Sequence, residues 1–136
     1  MIYPMFALVL LTYAVSFYMI KLRFAAVKGG HVSLSYFKLY QGDIPVELQQ
    51  ISRNYSNLFE MPTLFYAAGA AAIGLHIETT AMLILSWLFV VGRALHSWIH
   101  ITSNRVIPRM RMFVFSTFCV LGLWILLVWN YSTPVS

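Results

Sequence analysis

The sequence predicts an all-α integral membrane protein, a four-helix bundle of up-down-up-down topology forming one transmembrane domain over residues 1–136, and three observations lead there. Of the 136 residues, 60% are hydrophobic and only 10% are charged, with a mean hydropathy of +0.76. A soluble domain usually carries about 25% charged residues. Uncharged runs of spanning length lie at Met1 to Ile20 and Met112 to Tyr131, where ~1.5 Å of rise per residue crosses ~30 Å of hydrocarbon in about twenty residues. Two shorter apolar runs, Met61 to Leu75 and Ala81 to Gly92, reach that length once each takes in its polar flank.

The first helix is expected over residues 2–23, with Pro4 tolerated in its first turn. Lys21 and Arg23 follow the apolar run and snorkel to the interface. No basic region precedes the run, so it reads as a retained helix rather than a cleaved signal. Lys28-Gly29-Gly30-His31 breaks the chain, and the aromatic segment to Gly42 suits an interfacial loop. Asp43 offers an N-cap, with Ile44 and Pro45 in the first turn of a second helix over residues 45–75. The small residues from Ala67 to Gly74 give that helix a surface which lets a neighbour approach closely. His76 to Thr80 is too short a turn for anything but antiparallel neighbours, and Thr79 or Thr80 can cap a third helix over residues 80–102. A fourth helix follows over residues 109–131, with Trp124, Trp129 and Tyr131 as an aromatic belt. Cys119 is the only cysteine. It cannot form an internal disulfide and reads as a small buried hydrophobe.

The formal charge of +5 is sorted by loop rather than gathered on one face, which argues against a nucleic-acid partner. Lys21, Arg23, Lys28 and Lys38 lie in or beside the first connection, and Arg105, Arg109 and Arg111 in or beside the third. Both termini and the second connection carry no Lys or Arg. The positive-inside rule therefore places loops one and three in the cytoplasm and both termini outside.

Polar side chains enter the spans at two places. Arg53, Asn57 and Glu60 stand four and then three positions apart, one stripe on a continuous helix. Arg93, His96 and His100 form a second stripe, and the antiparallel arrangement turns both toward the cytoplasmic half. An ionised Arg93 would sit roughly 14 Å from its helix end by helix rise, where an unpaired charge costs at least ~2.5 kcal/mol. Glu60 is its obvious partner, whether the pair fixes packing or serves a site. Basic groups outnumber acids in this constellation, so the ligand expected is anionic. His96 and His100 make an i, i+4 pair without a third ligand, and no metal is expected. No nucleophile and base pair and no Gly-rich phosphate loop is present.

These residues resemble the MAPEG family, the membrane-associated proteins in eicosanoid and glutathione metabolism. The resemblance rests on Arg53-x-x-x-Asn57-x-x-Glu60, Arg93-x-x-His96, the Lys21-Leu22-Arg23 exit from the first helix and the basic loop leading into the fourth. It covers nearly the whole chain and is strongest to small bacterial members. It implies a homotrimer of four-helix subunits in the bacterial inner membrane, with glutathione as co-substrate bound between neighbouring subunits. By the same resemblance Arg53, Asn57, Glu60 and Arg93 hold the tripeptide, with His96, His100 and Lys21 completing the set. The thiolate-stabilising arginine falls on Arg109, with Arg105 as the fallback. His100 stands where several members carry tyrosine. The activity implied is a glutathione-dependent transferase or peroxidase acting on small lipophilic electrophiles that arrive through the lipid bilayer. Two other readings stay open: a small proton-coupled transporter using Glu60, and a non-catalytic membrane scaffold of the same fold.

Overall fold

The computed structural model describes residues 1–40 and 42–133, and among these every regular element is helical. α1 runs Ile2–Lys28, five residues past the expected Arg23, because Phe24 to Val27 continue a helix-compatible run. Gly29 and Gly30 end it, donating to the carbonyls of Ala25 and Val27 at 2.9 and 3.0 Å. Gly30 turns the chain at φ +72°, a conformation that glycine adopts without steric cost. The single-turn α2 (Tyr36–Leu39) follows, with no buried residue of its own. The Arg23 guanidinium lies over the Phe37 and Tyr40 rings at 5.4 and 5.9 Å, which ties this segment to α1.

The continuous helix expected over residues 45–75 is two helices, α3 (Val46–Asn57) and α4 (Met61–Gly74). Pro62 is the cause: it has no N–H to offer the Leu58 carbonyl, and its ring would strike that carbonyl in an unbroken helix. α3 instead closes with tight bonds from Leu58 N–H to the Tyr55 carbonyl and Phe59 N–H to the Ser56 carbonyl, at 3.0 and 2.9 Å. Glu60 turns the chain at φ −86°, ψ −92°. Its carbonyl accepts from both the backbone N–H and the hydroxyl of Thr63, at 3.2 and 2.5 Å. Asp43 does not cap α3; Pro45 holds that position and Asp43 is exposed.

α5 (Thr80–Ile101) is capped by the Thr79 hydroxyl, which accepts from Met82 N–H at 3.3 Å. α6 (Val106–Ser132) starts three residues before the expected Arg109, with Pro108 inside its first turn where no N–H is needed. α1, α5 and α6 are long and apolar enough to cross a membrane. Their outward faces are large apolar side chains, such as Phe17, Leu95, Phe118 and Ile125.

The N-terminal amine pairs with Glu78, beside the α4–α5 turn, and residues 130–131 border the same turn. The α5–α6 connection, α2 and the start of α3 therefore gather at the opposite end. One apolar cluster joins α1, α4, α5 and α6 around Leu8, Phe65, Phe89, Val120, Leu123 and the buried Cys119. Within it the Phe65 and Phe89 rings stack at 4.6 Å. A second cluster seats α3 on the far half of α1 through Val15, Met19, Leu48 and Ile51. The Trp124 indole N–H donates to the Leu64 carbonyl in α4 at 3.1 Å, tying α6 to α4.

The small-residue face is used at Gly69, where a Cβ would meet Met5 Sδ at 2.6 Å. α5 and α6 close on each other at Gly92, where a Cβ would lie 3.0 Å from Phe115 and 3.2 Å from the Ser116 Cβ. Gly92→Val is expected to destabilise by ~1–3 kcal/mol, the usual cost of overpacking a tight interface. Gly74→Ala, which meets nothing within 4 Å, should be neutral or slightly stabilising. Thermal unfolding of the two variants in one detergent checks the contrast.

Candidate functional site

At the end shared by α2, the start of α3 and the α5–α6 connection lies a polar hollow of about 630 Å³. Arg53, Ser56 and Asn57 line it from α3, Glu60 from the α3–α4 junction, His100 from α5 and Arg109 from α6, with Tyr36, Tyr40 and Asp43 at its rim. Arg53 and Asn57 share a face of α3, one turn apart. Glu60 does not continue their helical stripe, because the break at Leu58 to Glu60 takes it off the helix; the junction brings it to the hollow all the same.

Arg93 lies behind this wall, 0% exposed. Its Nη2 donates to the Asn57 carbonyl at 2.9 Å, and its guanidinium lies 5.9 Å from the Phe113 ring centre. The expected Arg93–Glu60 ion pair is not formed. Among the described residues the only ion pair is that of the N-terminus with Glu78. The physical reason is the helix break, which leaves Glu60 exposed at the junction and frees the Asn57 carbonyl to take the guanidinium in its place.

His96, also buried, donates from Nδ1 to the Arg109 backbone carbonyl at 3.0 Å. That carbonyl can only accept, so the proton of His96 sits on Nδ1. Arg109 Nη1 donates to Asn104 Oδ1 at 2.5 Å and approaches His100 Nε2 at 3.4 Å. Of the residues singled out by the sequence, Arg53, Asn57, Glu60, His100 and Arg109 thus meet around one hollow, and Arg93 and His96 support it from behind. Lys21 is exposed on α1 and Arg105 is the exposed N-cap residue of α6; neither borders the hollow.

Three polar residues escaped the sequence reading. Asn104 holds Arg109 directly. Asn54 is fully buried with neither side-chain polar atom hydrogen-bonded, and the buried Ser97 hydroxyl is likewise unpartnered. Asn104 stands beyond the end of α5, where helical spacing no longer places a side chain. Asn54 stands a single position from the Arg53 stripe, on a different face of the helix.

Also bordering the α3–α4 junction is a mainly apolar cleft of about 400 Å³ between α1 and the junction, lined by Tyr13, Tyr55, Phe59 and Tyr66 among others. The chain therefore offers a charged hollow and a lipid-like cleft that both border one helix break.

The model of the MAPEG family matches residues 1–129. No curated protein and no solved structure matches the chain.

Proposed function

Because the chain belongs to the MAPEG family, we propose that it is a glutathione-dependent transferase or peroxidase acting on lipophilic electrophiles at the membrane. In this reading α3 and α4 together make one crossing beside α1, α5 and α6, giving a four-helix bundle that assembles as a homotrimer in the bacterial inner membrane. The loops that carry the hollow face the cytoplasm.

One observation carries the reading: Arg53, Asn57, Glu60 and Arg109 surround a hollow of about 630 Å³, inside the roughly 300–1,000 Å³ range of small-molecule sites. Glutathione carries two carboxylates and one ammonium. Arg53 offers a guanidinium to a carboxylate and Glu60 a carboxylate to the ammonium, Asn57 adds a neutral amide for the peptide, and Arg109 is left for the thiol. Charge-assisted bonds of this kind are short and strong.

Arg109 supplies the chemical step. A free thiol with a pKa of about 8.5 is mostly protonated at neutral pH, and a fixed guanidinium beside it favours the thiolate. That sulfur then forms a bond to carbon and a leaving group departs. With a hydroperoxide, two thiols give up two electrons, a disulfide forms, and the O–O bond is cut to alcohol and water. The mixed polarity of the two cavities suits one water-borne and one lipid-borne reactant.

The test is isothermal titration of the detergent-solubilised protein with glutathione, followed by turnover of an aryl halide and of a lipid hydroperoxide. Binding with turnover is the expected result; no heat of binding and no turnover would refute the reading. The second reading draws on a specific observation, that Glu60 is exposed and has no cation within ion-pair distance. A proton-coupled transporter needs such a carboxylate. Proton-driven efflux from proteoliposomes, lost in Glu60→Gln, would reverse the order of the two readings.

A further inference from the structure

We propose that His96, His100 and Asn104 form a three-point cradle that aims the Arg109 guanidinium, and that Asn104 is its decisive positioning residue. The proposal deepens the reading of Arg109 as the thiolate-stabilising group and rests on it for its chemical meaning. Its geometry stands independently.

His96 and His100 lie one turn apart on α5, Asn104 follows in the turn after the helix ends at Ile101, and all three meet Arg109 in the first turn of α6. His96 holds the Arg109 backbone carbonyl at 3.0 Å. His100 and Asn104 both hold Nη1, at 3.4 and 2.5 Å. A guanidinium can only donate. Asn104 must therefore present its oxygen, and His100 must present the unprotonated Nε2. All the hydrogen bonds made by the Arg109 side chain among the described residues go through Nη1, while the residue borders the hollow. The guanidinium is divided: one nitrogen is anchored and the other N–H groups are left for a ligand.

Asn104 is not in its place for the backbone alone. It sits at φ +49° and its N–H closes α5 onto the Ile99 carbonyl at 2.7 Å. Glycine takes that conformation at no steric cost and is the default there, with asparagine the next best. What asparagine adds over glycine is the carboxamide, and the carboxamide is spent on Arg109. The same left-handed turn sends the chain back toward α6, so it decides both where Arg109 starts and where its side chain is caught.

The variant that separates these roles is Asn104→Gly, which keeps the backbone conformation and deletes the oxygen. Asn104→Asp is the rescue, since it keeps an oxygen acceptor in the same position. The first measurement needs no glutathione: the rate at which phenylglyoxal modifies Arg109 in the detergent-purified full chain, read by peptide mass spectrometry. Asn104→Gly should raise that rate, and Asn104→Asp should return it to the wild-type value. The second is the pH profile of glutathione thiolate absorbance, which in Asn104→Gly should move toward that of the free thiol at about 8.5.

Equal Arg109 modification in wild type and Asn104→Gly overturns the cradle. Should Asn104→Gly fail to fold, the pair Asn104→Asp and Asn104→Ala decides, because aspartate offers an acceptor oxygen and alanine none. Similar Arg109 rates in that pair overturn the proposal. A wild-type protein that forms no thiolate removes the glutathione reading, while the modification rates still decide the cradle.

Discussion

Arg109→Ala is expected to remove most of the glutathione thiolate and to lower kcat by about 10²–10³-fold, the loss found when one fixed donor to a developing negative charge is removed. The effect should fall on kcat more than on KM, because Arg53, Asn57 and Glu60 remain around the hollow to hold the tripeptide. Arg109→Lys should be intermediate. Lysine restores the charge, but its single ammonium cannot be anchored to Asn104 and offer further donors in a fixed plane at the same time. Arg109 also sits one turn into α6, where the helix N-terminus adds its own partial positive charge; the alanine variant keeps that contribution, so a small residual preference for thiolate is expected. Thiolate absorbance with glutathione, together with steady-state kinetics of Arg105→Ala in parallel, checks the assignment. Normal thiolate in Arg109→Ala combined with its loss in Arg105→Ala would move the catalytic role to Arg105, despite its exposed position at the start of α6.

Arg93→Ala should produce the largest loss of stability of any change at the site, ~2–4 kcal/mol. Two contributions add. The hydrogen bond from a charged donor to the Asn57 carbonyl is worth about 1.5–3 kcal/mol, and truncating a side chain that is 0% exposed leaves a cavity with its own cost. A third acts in the opposite sense, since removing a buried cation also removes its desolvation penalty. Arg93→Met separates them: it fills most of the volume and removes the charge, but leaves the carbonyl unpaired. The expected order of thermal stability is wild type, then Arg93→Met, then Arg93→Ala. An Arg93→Met protein as stable as wild type would show that desolvation cancels the Asn57 bond. Because that bond fixes Asn57 at the wall of the hollow, both variants should also weaken glutathione binding.

The spans and the site were not equally legible in the sequence. α1 and α6 were plain because nothing but lipid suits twenty uncharged residues. The members of the hollow were legible in kind: Arg53, Asn57, Glu60, His100 and Arg109 are polar groups next to apolar runs, and such groups must gather somewhere. Their connections were less so. The stripe of Arg53, Asn57 and Glu60 assumed an unbroken helix, although Pro62 was in view, because the small-residue run after it kept a helical pattern. The same assumption produced the Arg93–Glu60 pair. Whether a carboxylate or a carbonyl meets a buried guanidinium depends on a turn of the backbone at Glu60, and residue types do not specify that turn. Asn104 shows the opposite case. Its type suited the left-handed turn, but its grip on Arg109 follows only once α6 begins at Val106 rather than at Arg109 itself.

The junction between α3 and α4 has a mechanical meaning. α3 leans on α1 and α5, and α4 on α1 and α6, so two levers meet at one pivot. Twelve residues make α3 about 18 Å long. A swing of about 6° at Leu58 would carry Val46, and with it the rim at Asp43, through about 2 Å of arc over that length. Asn57, beside the pivot and pinned by Arg93, would hardly move. A swing of this size would alter the mouth of the hollow more than its floor.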